Sequence, residues 1–162
     1  MILAVDPGLK GAFAVYGEGS LTVYDMPTYT KNAGSRNLSR DFIDAQGVLR
    51  LVREAHLLGC DLFVIEDVGG LPGQSASGAF VFGRGVGEVE MAARSIGMRL
   101  ERVRAATWKA GLRVPADKRA ARARASELMP QWSHLWPLQK HDGRAEAAML
   151  ALYAERFLLG GK

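Results

Sequence analysis

A chain of 162 residues with 48% apolar content can bury the core of one domain without staples, so a single domain over 1–162 is expected. One cysteine, Cys60, excludes an internal disulfide, no Cys/His cluster has zinc spacing, and no apolar run reaches the roughly 18 residues of a membrane span. The expectation is a soluble, cytoplasmic protein. Net charge is only +4, but the stretch from Arg94 to Ala125 holds ten Lys or Arg against two acids, Glu101 and Asp117. Such a segment is either a solvated helix face or the footprint of a polyanion such as nucleic acid.

In chain order, Ile2 to Val5, Ala12 to Tyr16 and Leu21 to Tyr24 read as three short strands separated by glycines, an antiparallel meander. The polar stretch 27–40 reads as a loop. Phe42, Ile43, Val48, Leu49, Val52 and Leu57 then recur at helical spacing. Leu62 to Ile65 is an apolar run after a helix, which predicts a crossover and a strand parallel to the first. Residues 67–78 form a Gly/Pro/Gln/Ser loop, and Ala79 to Ile96 a helix interrupted by Gly83, Gly85 and Gly87. Those glycines lack the G-x-G-x-x-G spacing of a phosphate loop and point instead to close packing. Met98 to Val103 follows as a strand, Thr107 to Leu112 as a short turn or helix, and Ala116 to Leu128 as a basic helix stopped by Pro130. After a Trp-bearing connection over 131–139, a final helix runs from about Asp142 to Leu159, its apolar side directed at the sheet.

Two acids end predicted strands, Asp6 in Val5-Asp6-Pro7-Gly8 and Glu66 in Val64-Ile65-Glu66-Asp67. With the strands parallel, these become neighbours at a sheet end, where open α/β sheets place ligands. Asp67, the next residue, points to the opposite face. Asp142 and Glu146 lie four apart on the last helix, about 40° from one another around its axis, so both project from one side. Stacked anions facing further acids are costly without a cation. Taken singly, each acid has an ordinary role as a cap or an exposed strand end; together, with a basic segment nearby, they fit oxygen-only ligation of Mg²⁺ or Mn²⁺. Two such ions about 4 Å apart can activate a water and stabilise a leaving oxygen in phosphodiester hydrolysis.

Ile2-Leu3-Ala4-Val5-Asp6-Pro7-Gly8 with Gly11, then Val64-Ile65-Glu66, then Arg144-Ala145-Glu146-Ala147, resembles the RuvC family of Holliday junction resolvases, in the ribonuclease-H-like superfold. The resemblance spans nearly the whole chain. It implies an α/β fold with a mixed five-stranded sheet flanked by helices, and a homodimer. It implies four metal-binding catalytic acids, here Asp6, Glu66, Asp142 and Glu146, holding two Mg²⁺ ions per site. The substrate would be a four-way DNA junction, cut by paired symmetric nicks that leave 5′-phosphate and 3′-hydroxyl ends. It further implies DNA-contacting lysines after the fifth strand, matched by Lys109 and Lys118.

Three departures accompany the resemblance. Cellular members carry an acid or histidine three residues before the last acid, whereas Gly143 stands there; the four-residue spacing of Asp142 and Glu146 is more similar to phage or prophage versions, which sets the expected location as a bacterial cell or phage-infected host. His141 is a competing ligand but lies about 140° from Glu146 around the helix. The aromatic wedge expected just after the second acid is replaced by Val68-Gly69-Gly70-Leu71-Pro72, leaving Phe80 or Phe82 as substitutes. Alternatives are an RNA-processing nuclease of the same superfold and a branched-DNA-binding module without catalysis.

Overall fold

The computed structural model of the protein describes residues 1–32, 39–70 and 73–160. Strands β1 (Ile2–Asp6), β2 (Ala12–Gly17) and β3 (Ser20–Asp25) form the expected antiparallel meander. A second hairpin follows, β4 (Thr28–Asn32) with β5 (Ser39–Ile43), and then helix α1 (Ala45–Leu57). Strand β6 (Leu62–Asp67), helix α2 (Ala76–Ser95) and strand β7 (Arg99–Arg104) come next. Helices α3 (Ala105–Gly111), α4 (Lys118–Leu128) and α5 (Asp142–Tyr153) complete the chain, with 3₁₀ turns at Pro130–Leu135 and Gln139–His141 and a π turn at Ala154–Leu159. The main sheet has five strands in the order β3-β2-β1-β6-β7, with β1, β6 and β7 parallel. This is the mixed five-stranded sheet that the sequence resemblance implies.

Strand alternation sorts the core into two halves. Ile2, Ala4, Leu62 and Val64 pack with α5 on one face, while Leu3, Val5, Phe63 and Ile65 pack with α1 and α2 on the other. By the same parity Asp6 and Glu66 belong to the α5 face and Asp67 to the opposite one. The register sets Val5 beside Ile65, so the acids that follow end adjacent strands. Helix starts are capped as their sequences direct: Asp44, Ser75 and Asp117 accept from the backbone N–H of Gln46, Gly78 and Ala120.

The expected loop over 27–40 is the main correction. Its described parts are strand β4 and the start of β5, while 33–38 lie outside the described residues, as do Leu71 and Pro72 of the loop after Glu66. Phe42 and Ile43 belong to β5, and α1 begins only at Ala45. Of Gly83, Gly85 and Gly87 in α2, Gly85 alone is tightly packed: a Cβ there would stand 2.8 Å from Ile43 Cδ1, whereas Gly83 and Gly87 face open space.

Candidate active site at the carboxyl end of the sheet

Three carboxylates converge between β1, β6 and α5. Burial pushes Asp6 up to about 7, with the charges of Glu146 and Glu66 adding to the rise, against a smaller pull from the Gly8 N–H and Lys109. Glu66 is also raised, first by burial and further by Glu146, while a hydrogen bond from Trp108 and the charge of Lys109 oppose the shift. An anion at any one corner therefore destabilises the others. That is the electrostatic condition a cation relieves.

Protein groups hold the cluster meanwhile. Lys109 Nζ donates to Glu146 Oε1 at 3.0 Å, and the fully buried Trp108 donates through Nε1 to Glu66 Oε2 at 2.8 Å. Both residues sit on α3, immediately after β7, so one short helix delivers a counter-charge and a fixed hydrogen bond to two acids on different elements. Gly8 N lies 3.4 Å from Asp6 Oδ1 within the turn that follows β1.

Asp142 is placed differently. It is the first residue of α5 and forms an ion pair with Arg122 of α4, and its charge contributes to neither the Asp6 nor the Glu66 shift. His141 is buried, its Nδ1 accepting from Leu138 N at 3.3 Å, and burial together with the charges of Arg144 and Lys140 lowers its pKa. Position 143 has no room for a side chain, since a Cβ on Gly143 would stand 2.3 Å from Lys10 O and 2.8 Å from Gly11 Cα. The start of α5 thus lies backbone to backbone on the turn between β1 and β2. This is a physical reason for glycine at position 143.

Of the six site residues expected from sequence, the fold gathers Asp6, Glu66, Glu146 and Lys109. Asp142 stands on the same helix but turned to Arg122, and Lys118 is exposed at the start of α4 without influence on either shifted acid. Among the described residues no three His, Cys, Asp or Glu side chains stand in ligating geometry around a common point. The donor set is nonetheless all oxygen and carries mutual repulsion, the chemistry suited to a hard divalent cation. Trp108 and Arg122 were not singled out from sequence. Their partners lie 42 and 20 residues away, and nothing local marks either contact.

A cleft of about 400 Å³ opens beside Glu66, between Gly69 and Gly70 on one side and Phe82, Gly83 and Gly87 of α2 on the other. No aromatic side chain occupies the described start of the loop after Glu66. Phe82 lines the cleft, and Phe80 is 71% exposed on the same helix.

No protein-family model and no curated protein matches the chain. Solved structures do match. Thermus thermophilus RuvC in complex with a Holliday junction substrate superimposes with a TM-score of 0.62 at 15% identity, covering 99% of this chain and 95% of that one. The fold is that of RuvC. A second Thermus thermophilus RuvC structure gives 0.61 at the same 15% identity, covering 99% and 96%. RuvC likeness thus extends over nearly the whole of both chains, and at this identity it describes architecture. Among the described residues, no helix is long and apolar enough to cross a membrane.

Proposed function

We propose that this chain is a divalent-metal-dependent, structure-selective DNA endonuclease that resolves four-way junctions, acting as a homodimer that nicks two opposed strands. The observation that carries the reading is the convergence of Asp6, Glu66 and Glu146, with Lys109 among them, at one end of a RuvC-type sheet. Asp6, Glu66 and Glu146 would hold Mg²⁺, with Mn²⁺ as a substitute, and Asp142 would complete a two-ion site once Arg122 is drawn to a phosphate. When bound, the cations supply water activation and stabilisation of the departing 3′ oxygen.

The chain's own groups do the rest. Trp108 fixes the Glu66 carboxylate so that its free oxygen keeps one direction, and Asp6, pushed up to about 7, is only part ionised at neutral pH, so a cation would compete there with a proton. Lys109, released from Glu146, is placed to neutralise a non-bridging phosphate oxygen as charge develops. Lys118 and Arg119, exposed at the start of α4, extend the basic surface along which the backbone of a junction arm would lie. Phe80 and Met91, 71% and 61% exposed on α2, support pairing of two copies across that helix.

The test is incubation of the purified protein with a labelled four-way junction, a Y-fork and a linear duplex, with Mg²⁺ and with chelator. Paired symmetric nicks confined to the junction and dependent on metal are expected. Equal cutting of forks would widen the reading to a debranching nuclease, preference for structured RNA would move it to the RNA-processing branch, and tight junction binding without cleavage in Mg²⁺ or Mn²⁺ would overturn it in favour of a binding module.

A further inference from the structure

The β4–β5 hairpin has no part in the acid cluster, yet its composition is not that of an idle surface ribbon. Register pairs Tyr29 with Phe42 and Lys31 with Arg40, so one side of the ribbon carries two aromatics and two cations, while Thr30 and Asp41 bond to each other on the other side. Tyr29 stacks on Phe42 with centroids 5.7 Å apart and planes at 25°, which fixes the Phe42 ring. Two guanidinium groups stand over that ring, Arg40 at 5.9 Å and Arg84 of α2 at 5.4 Å.

Between this ribbon and α2 runs a groove of about 260 Å³. Phe42, Val81 and Phe82 give it apolar walls, Gly78 and Gly85 keep its α2 side low, and Arg40 and Arg84 stand at its edge. Arg84 also pairs with Glu88 at 3.3 Å, and Arg40 donates to Ser77 Oγ at 3.4 Å, so both heads are oriented but remain near the surface. One end of the groove is formed by Pro7 and Leu9, the residues that follow Asp6, and Phe82 is common to this groove and to the cleft beside Glu66. The groove therefore neighbours the turn that follows Asp6 and shares one wall residue with the cleft beside Glu66. Aromatic surface covered by guanidinium groups on long side chains, which phosphates can draw aside, next to the acid cluster, matches the chemistry by which unpaired bases are bound.

We propose that the groove between α2 and the β4–β5 hairpin takes one unpaired nucleobase of the strand that runs past Asp6, held against Phe42 with Arg40 and Arg84 on its adjoining phosphates. The proposal rests on the nuclease reading above and deepens it. It gives the protein a means of selecting strands that are open near the cut, and a place for base preference. An intact duplex keeps its bases stacked and presents none to the groove.

The test uses the full chain in chelator, so that binding is read without cleavage. The probe is a short thymidine oligonucleotide with one 2-aminopurine, offered single-stranded, annealed, and as its ribo counterpart. Quenching of the single-stranded probe is expected on binding, with little on the duplex. Phe42→Ala should weaken single-strand binding roughly ten- to hundred-fold and abolish the quench, and Phe42→Trp should restore both. Arg84→Gln, at an exposed side chain where folding is not at stake, should weaken it several-fold and lower the salt dependence by about one phosphate contact.

Equal ribo and deoxy binding would assign the groove to unpaired strands of either sugar, and a deoxy preference to DNA; both support it. Single-strand affinity unchanged in Phe42→Ala and Arg84→Gln would overturn it, as would equal losses on duplex. A change in oligomer mass without a change in oligonucleotide affinity would give the groove to a second protein copy and overturn it too. Junction cleavage in Mg²⁺ is scored separately. Cleavage without quench removes the base site and spares the nuclease reading, whereas quench without cleavage of any branched substrate does the reverse.

Discussion

Helices α5 and α2 lie on opposite faces of one sheet and are built to opposite rules. Nine of the twelve residues of α5 are buried, because the sheet covers one side and α4 the other, while α2 buries only four of its twenty. The polar exceptions on α5, Asp142, Arg144 and Glu146, are each held by an ion pair, to Arg122, Asp25 and Lys109. On α2, large apolar side chains face solvent and two grooves run along the helix. Position is worth most where charge must be held to within a fraction of an ångström, and adaptability where shapes of varying kind must be met. The sealed face carries the acid cluster and the open face the clefts.

The largest effect should come from the sealed face. Asp6→Asn or Glu146→Gln is expected to lower junction cleavage at least ~10³-fold while leaving junction affinity within a few-fold, measured by gel-shift and single-turnover cutting. Equal loss of binding and cutting would remove both from the chemistry. Next, Gly143→Ala forces a methyl group against the Lys10 carbonyl and should cost about 2–3 kcal/mol in urea unfolding. An unchanged midpoint would mean that α5 can lift away from the turn, and the contrast between faces would fail.

The third prediction concerns pH. The raised Asp6 favours the protonated form in the folded state, so its contribution is fully present below about pH 4 and lost as pH rises through about 7. Glu66 shifts in the same direction. Thermal stability of the metal-free protein should fall over that window, Mg²⁺ should recover it at neutral pH through preferential binding to the folded state, and Asp6→Asn should flatten the profile. The smallest effect belongs to the open face: Gly87→Ala, where a Cβ meets nothing, should stabilise by up to about 1 kcal/mol from helix propensity. Gained stability combined with weakened dimerisation or junction binding would show that the bare backbone there serves a partner.

These differences were unequally legible in the sequence. The meander, the parallel crossover and the acids at strand ends could be read because apolar runs bounded by glycine and ended by carboxylates fit buried strands with charged tips and little else. Hairpin β4–β5 could not, since Tyr29, Lys31 and Arg40 break the apolar alternation, and Phe42 with Ile43 falls by chance into the helical spacing of α1. Strand order and helix phase made Asp6, Glu66, Asp142 and Glu146 legible as one set of four, of which Asp6, Glu66 and Glu146 converge. Asp142 was legible as an acid on the same helix, but its partner was not, because Arg122 reaches it only through the packing of α4 on α5. Nothing in the sequence marks Trp108 as a partner of the acids, and only the tertiary structure turns its indole N–H toward Glu66.

The crossing of Gly143 over Gly11 also has a mechanical meaning. The three nearest atoms to a Cβ on Gly143 would all be backbone, Lys10 O at 2.3 Å, Gly11 Cα at 2.8 Å and Gly11 C at 3.0 Å, so at this crossing main chain rests on main chain, with no side chain between to rotate or compress. Contacts between side chains act as springs, whereas this one is a hard stop. Helix α5 cannot approach the sheet further there. One turn further along α5, Glu146 takes its height above the sheet end from that stop.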